Sequence, residues 1–134
     1  MYEEKISNAI NSALKYLDKS IKVSSRSEKE LEHGVWDTSS ELEYALLLFS
    51  LTQKNPGIKL SWKTGLNPKK DIENEQALME AKKALKEARK HLKNKGWEEA
   101  YRATWTARNY IFKVQENLEK ERKRRLKEKT SQKS

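Results

Sequence analysis

In every long segment of the chain, apolar residues recur at three- and four-residue spacing, the period of an amphipathic helix. Ile6, Ile10, Leu14, Leu17 and Ile21 mark a first helix over residues 3–22, with Ala9 and Ala13 beside them. A short helix is expected at about 25–33, with Ser25 and Glu28 as a candidate capping box and Gly34 as its C-terminal stop. A third helix is expected over 40–54. Ser40 suits its N-cap, Glu43 can reach back to the Ser40 amide, and Leu42, Ala45, Leu46, Leu48 and Phe49 follow. Asn55-Pro56-Gly57 ends that helix, and residues 58–67 read as irregular.

Pro68, behind an Asn67 cap, suits the first position of a helix over 68–94. Its stripe is Leu78, Ala81, Leu85, Ala88 and Leu92, and Asn94-Lys95-Gly96 breaks it. The last helix is expected from Trp97 to about 127, with a packing seam of Trp97, Ala100, Thr104, Ala107, Ile111, Val114 and Leu118. The short connection predicts that the last two helices form a long antiparallel hairpin. No strand pattern and no internal repeat is visible. The expectation is an all-α bundle of about five helices over residues 1–127. A flexible basic tail over 128–134 is expected, because only Leu126 is apolar beyond Leu118.

Charge changes this picture. The chain has 134 residues, of which 35% are hydrophobic and 37% charged, with a formal net charge of +9. That balance favours an anionic partner, nucleic acid first and a membrane surface second. There is no cysteine, so disulfides and thiolate metal sites are excluded. His33 and His91 lie far apart without ligand spacing and are read as surface or boundary residues, with no metal. The N-terminus lacks the order of a signal peptide, and the longest apolar run, residues 45–49, is far short of a bilayer span. A cytoplasmic location is therefore expected. Abundant Lys, Glu and Arg would suit a thermophile.

Three places could carry binding chemistry. Segment 59–70 holds Trp62, Lys63, Gly65, Asn67, Lys69 and Lys70 in a loop leading to a helix start, where free amides and the helix dipole favour anions. Alternatively, Trp62 plugs the bundle end and the lysines are solvated. The last helix carries Tyr101, Trp105, Arg108 and Phe112 on one stripe, with Arg102 and Asn109 nearby. Tyr101 and Phe112 read as packing against the N-terminal helices. Trp105 and Arg108 suit either base stacking and phosphate binding or a boundary role. Trp36 and Asp37 precede the Ser40 cap, where Asp37 either aids the cap or accepts hydrogen bonds from a nucleotide.

The basic run from Lys120 to Arg125 suits a nucleic-acid contact or a solvated helix end equally. Its apolar face fades after Leu118, which argues against a membrane. No catalytic constellation emerges. Paired helices of this kind also occur in HEPN-class nucleases, which carry an Arg followed a few residues later by His. No histidine follows Arg102 or Arg108, so a ribonuclease is set aside.

Asp37, then Ser40-Glu41-Leu42-Glu43-Tyr44-Ala45-Leu46, and later Thr64-Gly65-Leu66-Asn67-Pro68-Lys69-Lys70, stand in an order that resembles the C-terminal helical domain of phage and plasmid DNA primases. The nearest likeness is the helix-bundle domain behind the primase–polymerase domain of archaeal plasmid replication proteins. The similarity covers about residues 36–70. It implies a module that is not an enzyme on its own. Such a module holds single-stranded template DNA and initiating nucleotides, ATP or another nucleoside triphosphate, beside a catalytic primase–polymerase domain, with no tightly bound cofactor. Trp62, Trp105 or both would then stack on bases, Lys63, Lys69, Lys70, Arg102 and Arg108 would hold phosphates, and Trp36 is a further candidate binding residue. The alternative is a basic helical adaptor that docks on a protein or RNA partner.

Overall fold

In the computed structural model, described over residues 2–52 and 66–132, every regular element is an α-helix. The four are α1 (Glu3–Val23), α2 (Glu28–Leu51), α3 (Asn74–Lys93) and α4 (Trp97–Gln132). Each packs on two neighbours, in the ring α1–α2–α4–α3, and neither diagonal pair makes contact among the described residues. Ile6, Ile10, Leu17, Leu42, Phe49, Leu78, Leu85 and Ile111 fill the centre, all nearly or fully inaccessible to solvent. The apolar stripes of α1 and α3 are buried as their spacing requires, with Ile21 and Leu92 at the margins.

The helices expected at 25–33 and 40–54 are one helix, α2. Its N-cap is Ser27 rather than Ser25: the Ser27 hydroxyl accepts from the Glu30 amide at 3.3 Å. Gly34 does not stop the helix. A Cβ at that position would lie 2.2 Å from Ser20 Oγ, so the bare glycine lets α1 and α2 approach closely. Nor is Ser40 a cap. It sits mid-helix and its hydroxyl donates to the Trp36 carbonyl at 3.1 Å, as Thr38 does to Gly34 at 2.7 Å. What carries the helix through both positions is a continuous buried stripe of Leu31, Val35, Thr38, Leu42, Ala45 and Phe49. The Asn55-Pro56-Gly57 stop lies outside the described residues.

Helix α3 starts at Asn74, six positions after Pro68, so neither Asn67 nor Pro68 opens it. Its start is held from α4: Asn117 Nδ2 donates to the Ile72 carbonyl at 3.2 Å and to Asn74 Oδ1 at 2.9 Å. Its end is a left-handed cap. Lys95 has φ 59°, the Gly96 amide donates to the His91 carbonyl at 2.7 Å, and the Lys95 amide donates to Leu92 at 3.2 Å. Only three residues separate α3 from α4. Along α4 the seam from Ala100 to Leu118 is buried, with Trp97 half-buried at its start. The helix runs on to Gln132, past the end expected near 127, and Arg125 pairs with Glu28 at the head of α2.

Candidate nucleic-acid interface

The path from α2 to α3 sets the site. Helix α2 ends where α4 begins: the Phe49 ring meets Trp97 edge-on at 6.2 Å and Tyr101 at 5.5 Å. Helix α3 begins well along α4 from there, beside Asn117, past the middle of that helix. Helix α4 is adjacent to both helices that the connecting segment joins. The described part of that segment rests on α4. The Leu66 amide donates to Thr106 Oγ1 at 3.0 Å, and Asn109 Nδ2 donates to the Leu66 carbonyl at 3.2 Å and to Asn67 Oδ1 at 3.5 Å. Lys69 and Lys70 follow at once, both exposed. Trp62 and Lys63 belong to the same segment but lie outside the described residues.

Arg108 is the most built of the candidate side chains. Its guanidinium lies 5.2 Å from the centre of the Trp105 ring and 5.1 Å from that of Phe112. Those residues are one turn before and one turn after it, so the helix itself stacks the three. Arg108 Nε donates to Glu43 Oε1 at 3.0 Å across the α2–α4 boundary. This carboxylate offsets part of the positive charge a phosphate would meet. Trp105 leans on the core, edge-on to Tyr101 at 6.4 Å, and its buried Nε1 has no hydrogen-bond partner among the described residues. Tyr101 is buried as expected of a packing residue, but Phe112 is half-exposed rather than packed against the N-terminal helices. Arg102 is exposed, 3.4 Å from Glu98.

Trp36 makes none of the bonds that hold the described part of the crossover segment. It lies mid-helix on α2 rather than ahead of a helix start, and it shares with Phe112 a groove of about 650 Å³ between α2 and α4. Glu32, Glu116 and Glu119 line that groove with His33 and Arg122, so carboxylates outnumber the single arginine and a phosphate fits it poorly. Glu116 is held ionised to a lower pH than an ordinary carboxylate, first by its hydrogen bond with Lys120 and then by the nearby charge of Lys113. Lys113 itself is nearly buried along its length, with its ammonium 3.7 Å from Glu116.

Five candidates thus belong to α4 and the segment laid on it: Lys69, Lys70, Arg102, Trp105 and Arg108. Sequence reasoning missed Thr106 and Asn117, which with Asn109 anchor that segment. Their signal was a polar stripe, since Thr106, Asn109, Lys113 and Asn117 recur at helical spacing on a helix whose other face is apolar. Among the described residues, no three His, Asp or Glu side chains gather as a metal ion would require, and no helix is long and apolar enough to cross a membrane. Compared with protein-family models, with curated proteins and with solved structures, the chain finds no match.

Proposed function

We propose that this chain is a non-catalytic helix-bundle module that binds single-stranded template DNA and initiating nucleoside triphosphates during primer synthesis, beside a catalytic primase–polymerase domain. The observation that supports the reading is the crossover segment tied to α4 by Thr106 and Asn109, with Lys69 and Lys70 following it and Arg102, Trp105 and Arg108 on the helix beneath. In this reading α3 and α4 form a long antiparallel hairpin that serves as a rigid platform. Lysine and arginine hold phosphates through charge. Trp105, and Trp62 in the same crossover, offer ring faces to bases. Bringing a template and two nucleotides together is entropically unfavourable, and a module that pre-positions them lowers that obstacle.

The test is a titration of labelled protein with a short DNA single strand, with and without ATP. Affinity should fall steeply with salt, with a log–log slope of about −0.7 per phosphate neutralised. Replacing Lys69 and Lys70 together by Ala should flatten the slope and weaken binding. Trp62→Ala should weaken it roughly five- to hundredfold, since one base on an aromatic ring contributes ~1–3 kcal/mol. Binding insensitive to salt, to ATP and to all of these substitutions would reject the reading and leave the adaptor alternative.

A further inference from the structure

The whole chain is basic, yet positions 30–53 contain no lysine or arginine. The same stretch holds five carboxylates: Glu30, Glu32, Asp37, Glu41 and Glu43. It is almost all of α2, and α2 carries four of the exposed large apolar residues, all on its outer face. Trp36 is 68% exposed, Tyr44 46%, Leu47 55% and Leu51 54%. With Ser40 these positions recur at 4-4-3-4 spacing, a second stripe separate from the buried one of Leu31, Val35, Leu42 and Phe49. The outer stripe runs about 22 Å along the helix.

Within the described residues α2 packs only on α1 and α4, and neither covers this stripe. Phe112, half-exposed across the groove from Trp36, extends it onto α4. Together these side chains offer on the order of 500 Å² of apolar surface. That is as large as the largest patch of a typical monomer, and it is the apolar share of a standard interface face of about 800 Å². Carboxylates flank the stripe on both sides, Glu32 toward α4 and Asp37 and Glu41 away from it, while Glu43, also toward α4, is already paired with Arg108. A stripe at helical spacing flanked by one sign of charge matches a partner helix with apolar residues at the same spacing and the opposite charge beside them. Pairing two copies through α2 would instead bring Glu32, Asp37 and Glu41 of both helices together, and α2 has no lysine or arginine between positions 30 and 53 to meet them.

We infer that the outer face of α2 is a docking surface for a basic amphipathic helix of a partner protein, seated on Trp36, Tyr44, Leu47 and Leu51 and held by the flanking carboxylates. This inference uses none of Lys69, Lys70, Arg102 and Trp105 and does not depend on the nucleic-acid reading.

The experiment uses the full chain and three fluorescein-labelled synthetic peptides followed by anisotropy. The first has leucines at 3-4 spacing flanked by lysines. The second has the same composition scrambled, and the third replaces lysine by glutamate. The first should bind at least tenfold more tightly than the others, and added salt should weaken it. Leu47→Asp should weaken it at least tenfold while leaving helix content, melting temperature and single-strand DNA affinity unchanged. Leu51→Asp is a second variant on the same face, should the first not fold. Equal binding of the scrambled peptide, no binding at all, or no effect of either substitution would overturn the inference. So would sedimentation showing a dimer of this chain that Leu47→Asp disperses, because a second copy would then occupy the face.

Discussion

Arg108 and Glu43 meet at 3.0 Å across the α2–α4 boundary, while the flat face of the same guanidinium lies against Trp105 and Phe112. The pair is partly exposed, so its contribution to stability is small, ~0.2–1 kcal/mol. Its effect on ligand binding is larger in kind, because any phosphate that reaches Arg108 must compete with Glu43.

Glu43→Gln should therefore raise affinity for a DNA single strand, by up to about fivefold at low salt, and change the melting temperature by little. Arg108→Gln should lower it. Fluorescence titration of the two variants at matched ionic strength checks both signs. If neither affinity moves, Arg108 takes no part in binding.

Gly34 and Ser20 make a second prediction. A helical Gly→Ala change ordinarily stabilises by about 1 kcal/mol. Here the new methyl would stand 2.2 Å from Ser20 Oγ and 3.3 Å from Ser20 Cβ, and Ser20 is fully buried with its hydroxyl bonded to the Tyr16 carbonyl. Gly34→Ala should thus destabilise, by about 1–3 kcal/mol. Ser20→Ala in the same chain should recover most of the loss. A double-mutant cycle by urea unfolding measures the coupling, and additive effects would show that the two helices do not meet there.

Asn117 fixes where α3 begins, through its bonds to Ile72 and Asn74. Asn117→Ala should cost about 1–2 kcal/mol for the two bonds lost. It should also speed amide hydrogen exchange at residues 75–78 more than at residues 85–88 in the middle of the same helix. Uniform protection along α3 would contradict this.

The buried faces were legible wherever burial is carried by spacing alone. Ile6, Ile10, Leu14 and Leu17 on α1, Leu78, Ala81 and Leu85 on α3, and the α4 seam face inward as their periods require. The helix boundaries at 34 and 40 were misread because capping residues and glycine are local signals with two meanings. A serine followed by glutamate three residues on reads the same whether the chain enters a helix there or already lies within one. The deciding information was the apolar register of Leu31, Val35, Thr38, Leu42, Ala45 and Phe49, which passes through both positions without a break. For the site, the chemistry of Arg102, Trp105 and Arg108 could be read from residue type. The pairing of Arg108 with Glu43 could not, since it joins positions that are neighbours only after α2 and α4 have packed. Nor could the anchoring of Leu66 by Thr106, which depends on the diagonal placement of α2 and α3.

That diagonal placement also orders events in time. Helices α1 and α2 are joined by Ser24 to Ser27, and α3 and α4 by Asn94 to Gly96, so each pair can close with little loss of chain entropy. The contacts of α2 with α4 and of α1 with α3 must close the longer loop between Leu51 and Asn74 and so form later. The chain is therefore expected to condense as two locally closed halves whose union sets the folding rate. Substitutions within a pair, such as Ile111→Val, should alter the refolding rate more than substitutions of the residues that tie the crossover down, such as Thr106→Val, which should act on unfolding. Doubling the length of the crossover should raise the barrier by only ~0.6 kcal/mol, so the chain can vary most in length where it carries its candidate ligand contacts.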